Sequence, residues 1–536
     1  MNKGSVTALG NAVAISRGNE VKGNVLAGKN AIAAAFGNRP SLGSDPVFLS
    51  LDQPSEITEP TGFVFQVDDE YDNLTHWNIT AEAVDGRNFS KVLREETAAT
   101  GETLANIASS LDTLDTTLLP NGRYAVRLTA EDAAGNVSQA ERTLTIGGHL
   151  KLGNVALAFD DLQVPVSGMP IAITRTYDSL NAGVPGDFGY GWDLAITNTS
   201  VAITHPFGGS DFDGAPFRFG TRVLITLPDG SVEGFTFAPE KPSQFSRDFV
   251  PKFFSDNGRT ELQVPQAFLW GFGGDPRYGD AFLDGFGFGD YRPATFVLRL
   301  QNGTELVIDP NSGDLQSISD RAGNTVWFFD WGIVHSAGRS VTFERNADGF
   351  ISQITDPAGN SITYDYDTDG NLTTVTDRLG SPTTFTYNPH HPHHLDEVQD
   401  PFGRQAARTE YDEQRRVKKV IDADGREIEY AYDLDGLTQT ISDQTGNATT
   451  LALDARGNVT REEGPGGEIT VRTFDGGDRP LTETTVIGAE DAVAGETNDL
   501  TTTYQYDVLG NLEVTIDPRG NLTSTGGNQM GQTSLF

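Results

Sequence analysis

Short runs in which apolar and polar residues alternate extend along most of the chain, and turn residues separate them. Residues 62–67, 77–81, 124–130 and 171–177 show the pattern most clearly. Alternation with a period of two over four to eight residues is typical of a β-strand with one buried face. In the last of these runs it places four side chains on the same face: Ile171, Ile173, Arg175 and Tyr177. The pattern predicts an all-β protein.

The same pattern divides the chain into four segments. Residues 1–43 are rich in Gly, Asn and Ala with weak periodicity, so we expect a low-complexity tail or linker. Residues 44–148 predict an N-terminal β-sandwich, and the phrases at 119–124 and 130–138 resemble the last two strands of immunoglobulin-like or fibronectin-like modules. Residues 149–300 predict a second β-domain, termed here the lead-in domain. Residues 301–536 predict repeats.

A repeat dominates the C-terminal part of the chain. Residues 366–377 match residues 506–517 in the order of two turns and two strands. An aromatic or apolar residue opens each unit, and the openers are Tyr366, Tyr387, Tyr411, Tyr432, Leu453, Phe474 and Tyr506. Most steps between them are 21 residues long. Self-similarity at a fixed spacing of this size indicates a repeat architecture.

Each unit contains turns of the form Asp-x-x-Gly. Asp accepts hydrogen bonds from its own backbone ahead, and Gly adopts a positive φ, so the motif reverses the chain. The residues predicted to build these structural turns are Tyr366, Asp367, Gly370, Asn371, Asp377, Gly380, Tyr432, Asp433, Gly436, Tyr506, Asp507, Gly510, Asn511, Asp517 and Gly520. One hairpin cannot bury its apolar face alone. Successive hairpins therefore predict a long, curved antiparallel sheet that forms part of a cocoon-like shell.

The motif Tyr-Asp-x-x-Gly-Asn-Leu resembles the YD repeat of Rhs proteins. Residues 161–179 and 186–192 likewise resemble the segment that precedes the repeats in Rhs-type polymorphic-toxin shells. The resemblance implies a hollow β-cocoon that encloses a C-terminal toxin, and teneurins are cell-surface relatives. It implies that this chain is a structural shell fragment whose toxin cargo lies outside it, because residues up to Phe536 contain no self-cleaving shell motif. The shell is expected to be incomplete.

Charge and composition exclude several classes. The formal net charge is −37, which opposes binding to nucleic acid or to an anionic membrane surface. The absence of Cys excludes disulfides, and no apolar stretch is long enough for membrane insertion. Residues 1–20 lack the apolar core of a secretory signal. We nevertheless expect a secreted or cell-surface protein, which would need another export route or a start that lies outside this sequence.

Candidate chemistry is sparse. The sequence contains no motif of a nucleophilic, metal-dependent or nucleotide-dependent enzyme, so we expect no catalysis and no cofactor. Weak Ca²⁺ binding by Asp68, Asp69 and Asp72 is the one cofactor candidate. Four histidines at 390–394 are expected to lie in a solvated loop that projects from the sheet, as are the departures from the repeat at 463–467 and 485–503. The alternative function is a surface adhesin that binds a glycan or protein receptor, with aromatic residues of 268–291 as candidates.

Overall fold

The computed structural model describes most of the chain beyond residue 55. The described residues are 6–8, 13–16, 25–27, 32–35, 56–57, 60–67, 73–84, 89–105, 107–133, 135, 137–148, 150–204, 217–228, 231–265, 268–271, 281–283, 289–487, 499–507, 512–527 and 533–535. Asp68, Asp69, Asp72, Gly510 and Asn511 lie outside them. No helix among the described residues is long and apolar enough to cross a membrane.

The N-terminal β-domain consists of two sheets. Its strands and those before it are β1 (Val6–Ala8), β2 (Val13–Ser16), β3 (Val25–Ala27), β4 (Ile32–Ala35), β5 (Glu56–Ile57), β6 (Thr61–Val67), β7 (Leu74–Ala83), β8 (Ser90–Thr97), β9 (Ile107–Leu114), β10 (Gly122–Asp132) and β11 (Val137–Ile146). β1 pairs with β3 and β2 with β4, both in parallel. The order β5-β11-β10-β7-β8 forms one sheet, and β6 and β9 form the other.

Trp77 and Tyr124 are buried in the core of this N-terminal β-domain. The Tyr124 hydroxyl donates to the Pro120 carbonyl oxygen over 2.7 Å, as a tyrosine does at the corner of many β-sandwiches. A 3₁₀ helix at Thr116–Leu118 follows β9. The immunoglobulin-like assignment stays a prediction.

The lead-in domain is built from short strands. They are β12 (Ala156–Val164), β13 (Ile171–Asp178), β14 (Pro185–Gly186), β15 (Gly189–Tyr190), β16 (Trp192–Leu194), β17 (Ser200–Thr204), β18 (Arg222–Thr226), β19 (Val232–Phe237), β20 (Asp248–Phe249), β21 (Phe253–Ser255), β22 (Glu261–Gln263), β23 (Leu269–Gly271) and β24 (Phe282–Leu283). 3₁₀ helices lie at Ser179–Asn181 and Ala195–Thr197. The residues of β13 alternate between buried and half-buried, which confirms the predicted shared face of Ile171, Ile173, Arg175 and Tyr177.

One antiparallel sheet of 24 strands runs through the rest of the described chain, from β22 directly to β25 and then in sequence order to β47. The strands are β25 (Phe296–Arg299), β26 (Glu305–Ile308), β27 (Leu315–Ser319), β28 (Thr325–Phe329), β29 (Gly332–His335), β30 (Ser340–Arg345), β31 (Ile351–Thr355), β32 (Ser361–Tyr366), β33 (Leu372–Thr376), β34 (Pro382–Tyr387), β35 (Leu395–Gln399), β36 (Gln405–Tyr411), β37 (Val417–Asp422), β38 (Glu427–Asp433), β39 (Thr438–Asp443), β40 (Ala448–Leu453), β41 (Val459–Glu463), β42 (Ile469–Phe474), β43 (Pro480–Val486), β44 (Leu500–Tyr506), β45 (Leu512–Ile516), β46 (Leu522–Gly527) and β47 (Thr533–Leu535). The all-β prediction and the long antiparallel repeat sheet are confirmed.

Most repeat openers lie at a β-bulge. The register shifts at six of the seven, which are Tyr366, Tyr387, Tyr411, Leu453, Phe474 and Tyr506. A bulge adds one residue to one strand of a pair, bends that strand and increases its twist. Bulges placed about once per repeat therefore give the sheet a steady curvature.

The curvature brings distant parts of the sheet together. Arg259, next to β22, lies 3.9 Å from the carboxylate of Asp475, next to β42. Eighteen strand-to-strand steps separate β22 from β42 in the sheet order, which would span roughly 85 Å in a flat sheet at about 4.8 Å a step. The sheet has therefore curled round until its beginning meets a later repeat.

Two hydrophobic cores cover one face of the first half of the sheet. Strands β17–β24 supply one core, around Phe235, Phe237 and Phe296. Strands β12, β13 and β16 supply the other, which includes Trp192 and Phe385. We call this side of the sheet the covered face. The two cores cover it as far as Val398 in β35.

Candidate functional site

The repeat turns are the first group of residues that the sequence predicted. At Asp367, one carboxylate oxygen accepts the backbone N–H groups of Asp369 and Asn371, each at 2.9 Å. The other carboxylate oxygen accepts the Asn371 side-chain amide at 2.8 Å. Gly370 has a φ of 80°. The carboxylate thus satisfies the turn backbone, and the left-handed glycine completes the bulge at Tyr366.

The second turn of a unit uses the same geometry. Asp377 accepts the backbone N–H of Leu379 and Ser381 at 2.8 Å each, and Gly380 has a φ of 81°. Asp517 accepts the backbone N–H of Asn521 at 2.8 Å and its side-chain amide at 2.7 Å. Gly520 has a φ of 80°. Asp507 is described, but the rest of its turn, which contains Gly510 and Asn511, lies outside the described residues.

The turn after Tyr432 differs from the others. Asp433 accepts the backbone N–H of Asp435 and Gly436 at 3.1 and 3.2 Å, but the left-handed residue is Leu437, with a φ of 47°. Strands β38 and β39 pair without a bulge here. The turn is one residue longer before the left-handed position, so the opener of this unit stays in regular register.

The repeat tyrosines have a role that the repeat pattern does not reveal. Each hydroxyl donates a hydrogen bond to a backbone carbonyl oxygen in an earlier strand, at distances of 2.6 to 2.8 Å. The pairs are Tyr366 with Ile351, Tyr387 with Leu372, Tyr411 with Leu395, Tyr432 with Val417 and Tyr506 with Pro480. Each of these five tyrosines therefore ties its own hairpin to a preceding one, and all but Tyr432 do so at a bulge.

Hydrogen bonds within the turns stabilise their carboxylates in the charged form. The Asn360 side chain and backbone lower the pKa of Asp356 to about 2. The Asn447 side chain lowers the pKa of Asp443, and the Asn521 side chain lowers the pKa of Asp517. The turns are thus weakened by acid.

The lead-in domain docks onto the repeat turns through its backbone. The Tyr190 N–H donates to the Gly370 carbonyl oxygen over 3.3 Å, and the Ile351 N–H donates to the Asp187 carbonyl oxygen over 2.8 Å. The side chain of Asp187 also pairs with Arg345 at 2.7 Å. The Gly- and aromatic-rich segment at 186–192 therefore fits against the first repeat.

Arg175 occupies the centre of the interface between the lead-in domain and the repeats. It is 1% exposed, and its guanidinium makes two hydrogen bonds to Asp161, of 3.1 and 3.2 Å. The Tyr364 hydroxyl donates to the same carboxylate over 2.9 Å. The guanidinium carbon lies 4.7 to 5.2 Å from three ring centroids, those of Phe159, Trp192 and Phe385. The cation–π contacts and the ion pair together compensate the charge.

The expectation of a projecting, solvated histidine loop at 390–394 was wrong. His394 is 5% exposed and packs edge-on against Tyr411 at 5.1 Å between ring centroids. His393 stacks on Tyr190 at 4.0 Å, and its ring nitrogen lies 2.7 Å from the Asn371 amide oxygen. The two prolines turn the loop back onto the sheet, so its imidazoles fill the joint between the lead-in domain and the repeats.

The departure at 463–467 was also expected to project and does not. The Gly464 N–H donates to the Glu468 carbonyl oxygen over 2.9 Å, and Gly467 has a φ of 80°. Glycines thus reproduce the tight turn without an aspartate. The insertion at 488–498 lies outside the described residues.

An exposed aromatic cluster lies on the face of the sheet opposite the covered face. Trp327, Phe329 and Trp331 are 39%, 46% and 52% exposed, and the last two rings stack at 5.1 Å with an angle of 8°. In the region 268–291, Phe268 and Trp270 are exposed as well. The remaining described aromatic residues of that region, Phe282 and Tyr291, are buried in the core.

No group of three or more His, Cys, Asp or Glu side chains within the described ranges is arranged to hold a metal ion. The predicted weak Ca²⁺ ligands at Asp68, Asp69 and Asp72 lie outside these ranges, so that hypothesis stays a prediction. The arrangement of the described residues is that of a repeat scaffold: turns, bulges and a docked lead-in domain.

These features define an all-β repeat protein with one curling antiparallel sheet. The model of the RHS Repeat family matches residues 345–381 and 366–391. A domain of unknown function, DUF6531, matches residues 149–203, where the lead-in domain begins. The chain therefore contains RHS repeats of the Rhs/YD type. No curated protein matches it.

Solved structures give weaker similarities. One match is the crystal structure of TcdB2-TccC3 without its hypervariable C-terminal region. The alignment covers 90% of the present chain and 27% of the TcdB2-TccC3 chain, with 11% identity and a TM-score of 0.31. A second match is the Photorhabdus luminescens Tc holotoxin pore. The alignment covers 81% of the present chain and 27% of the toxin chain, with 10% identity and a TM-score of 0.29. A third match is a porin-like protein of Bacteroides uniformis. The alignment covers 45% of the present chain and 88% of the porin-like chain, with 14% identity and a TM-score of 0.15. The chain thus spans about a quarter of the two toxin chains.

Proposed function

We propose that this RHS-repeat protein forms part of the wall of a shell that sequesters a polypeptide cargo by steric enclosure, without catalysis. The observation that carries the proposal is the contact between Arg259 and Asp475, because it requires the sheet to curl back on itself, as the wall of a shell would. A closed or spiral sheet also protects its own edges and its apolar side.

The side chains of the covered face are consistent with a wall that extends past the part of the sheet packed against the lead-in domain. As far as Val398 in β35, apolar side chains of this face are buried in the cores that it shares with the lead-in domain. Further along, the same rows of the sheet contain Tyr430, Ile441 and Leu451, which are half-buried within the described part of the chain. An extended surface of this kind fits a cargo held by many weak contacts.

Protease protection tests the enclosure. A flexible tag with a protease site is appended after Phe536, and the control carries the same site in the turn at Phe402, which is 82% exposed. Enclosure predicts that the appended site is cut at least tenfold more slowly than the control site. Equal rates of cleavage at the two positions would show that the wall encloses nothing.

A second candidate function is surface binding, and the aromatic cluster Trp327, Phe329 and Trp331 favours it. Exposed aromatic groups of this kind often mark interaction sites, and flat rings suit the apolar faces of sugars. The strongly acidic chain disfavours anionic glycans, so we propose a neutral glycan as ligand. A glycan array compares the natural chain with Trp331→Ala. Loss of neutral-glycan signal in the variant is expected, and an array with no signal for either protein would exclude this function.

A further inference from the structure

Three strands of the lead-in domain rest on the covered face in the order β16-β13-β12. Their ends contact three consecutive turns on one rim of the repeat sheet, at 367–371, 388–394 and 412–416. A residue in or next to each strand forms a hydrogen bond of 2.8 to 3.3 Å with a residue in or next to each turn: Tyr190 with Gly370, Tyr177 with His393 and Gly153 with Val417. Each lead-in strand therefore lies one rim turn further along the sheet than its neighbour.

The series ends at β12, which is the edge strand of its sheet. Within the described chain β12 pairs with β13 alone, and the backbone groups of residues 156–160 have no other hydrogen-bond partner in that part of the chain. Ala156, Ala158 and Asp160 are exposed, and residues 156–159 carry no charge. An unpaired strand edge without charged residues is a template for a further strand. The outer edge of β12 is therefore open to pairing.

The repeat sheet next to β12 has an open floor. Residues 418–468 are described throughout, and none of their apolar side chains is buried, whereas Val417 before them is 5% exposed and Ile469 after them is 7% exposed. The covered face nevertheless carries apolar side chains in this stretch. They are half-buried or partly exposed, and we call them the open floor: Ile428, Tyr430, Ile441 and Leu451. Ile428 pairs with Val420 and Tyr430 pairs with Ile441, so the open floor continues the rows of the covered face.

A further strand paired with the outer edge of β12 would lie over the open floor. The series places it beside the next turn on the same rim, at 433–437, which joins the strands that carry Tyr430 and Ile441. Neighbouring strands lie about 4.8 Å apart, and successive side chains of a strand point to opposite faces. One set of side chains would therefore contact the open floor and the other set would point away from it. The edge supplies main-chain pairing and the floor supplies apolar contact, so together they form a groove suited to an extended segment.

A second copy of this chain does not fit the groove through its own β12. Phe159 of β12 packs against Phe385 of the repeats at 5.7 Å between ring centroids, so β12 already rests on the repeat sheet of its own chain. Two copies joined edge to edge at β12 would bring the repeats of one into the space of β38 and β39 of the other. A single extended segment has no such sheet beneath it. The groove therefore favours an extended segment of another polypeptide.

We propose that the outer edge of β12 and the open floor bind one extended segment of the cargo by β-strand addition. This inference rests on the proposed function, in which the chain holds a polypeptide cargo. In strand addition, main-chain hydrogen bonds give affinity for many sequences, and contacts to alternate side chains give preference. The open floor prefers apolar side chains at every second position of the segment. The net charge of −37 disfavours an acidic segment.

Peptide binding to the full chain tests the groove. The probe is a fluorescein-labelled heptapeptide of alternating Thr and Val with a Lys added at each end. The control peptide has the same sequence with every backbone nitrogen methylated, which keeps the side chains but removes the main-chain donors. Fluorescence anisotropy is expected to show that the control binds at least about tenfold more weakly than the probe. Equal binding of the two peptides, or no binding of the probe, overturns the proposal.

Hydrogen exchange locates the bound peptide on the chain. Before the peptide is added, the amides of residues 156–160 that point to the outer edge are expected to exchange faster than those of β13, which is paired on both sides. The probe is expected to slow their exchange at least about tenfold and to leave β8, another edge strand, unchanged. Protection of β12 before the probe is added, or protection that grows with protein concentration, shows that this chain or a second copy covers the edge and overturns the proposal.

Two variants test the open floor. Ile428→Glu places a charge on it and is expected to weaken binding of the probe about tenfold. The matched control is Leu522→Glu, at a 63% exposed residue near the other end of the sheet, which is expected to leave binding unchanged. Equal affinities in the two variants overturn the assignment of the floor. Protease protection without probe binding would remove the groove and leave the shell standing, and probe binding without protection would do the reverse.

Discussion

Replacing Asp161 by Asn leaves the guanidinium of Arg175 buried without its counter-charge. The two side chains are 2% and 8% exposed, so water cannot replace the lost carboxylate. Removing one partner of a buried ion pair typically costs about 3–5 kcal/mol. The three surrounding rings offset only part of this, at about 0.5–2 kcal/mol for each cation–π contact.

The assay is hydrogen exchange, read separately on the two strands that hold the pair, β12 and β13. Asp161→Asn is expected to speed exchange in both strands by a factor of about 100 or more, which corresponds to the 3–5 kcal/mol above. The matched control combines Arg175→Met with Asp161→Leu, which removes both charges and is expected to recover most of the protection. If the single variant exchanges like the natural chain, Arg175 does not anchor the lead-in domain.

Three further predictions concern the repeats. In urea unfolding, Gly370→Ala is expected to destabilise the chain by about 1–3 kcal/mol more than the control Gly359→Ala. An added Cβ at 370 lies 3.0 Å from the Tyr190 ring, whereas a Cβ at 359 meets open space. Equal losses of stability in the two variants would contradict this. Asp356 contributes stability that is present above about pH 4 and is lost as the pH falls through its folded pKa of about 2, so Asp356→Asn is expected to flatten the fall in the urea midpoint between pH 4 and pH 2. Tyr387→Phe removes the acceptor of the Trp192 indole N–H and is expected to cost about 1–3 kcal/mol, seen as a shift of the tryptophan emission during urea unfolding; an unchanged midpoint would count against the tyrosine tie.

Much of the repeat region follows from the sequence, because each unit encodes its own turn. Asp367 and Gly370 supply the hydrogen-bond acceptor and the left-handed residue, so the turn needs no tertiary context. The alternation at β13 likewise identifies the buried face of a strand. Local rules of this kind extend to the sheet, since adjacent hairpins pair in sequence order.

The contacts between segments could not be predicted in this way. Arg175 and Asp161 are 14 residues apart and meet because β12 and β13 pair, while Tyr364 reaches them from 203 residues away. The burial of His394 was missed for the same reason: the composition of its loop indicates a polar, solvated segment, whereas the ring packs against Tyr411 and His391. A buried Arg on an otherwise apolar strand face was the one signal in the sequence that a charged partner was needed.

The distance across the curl tests the central claim most directly. Pulsed dipolar spectroscopy measures this distance between nitroxide labels on Asn257→Cys and Gly476→Cys. Both positions are exposed, and Gly476 leaves room for a side chain. The labels attach only there, because the natural chain has no Cys. A sheet that curls until Arg259 meets Asp475 predicts a narrow distribution at about 25 Å or less, given one or two strand spacings plus the labels. A distribution near the roughly 85 Å of a flat sheet, or one too long to measure, would contradict the account.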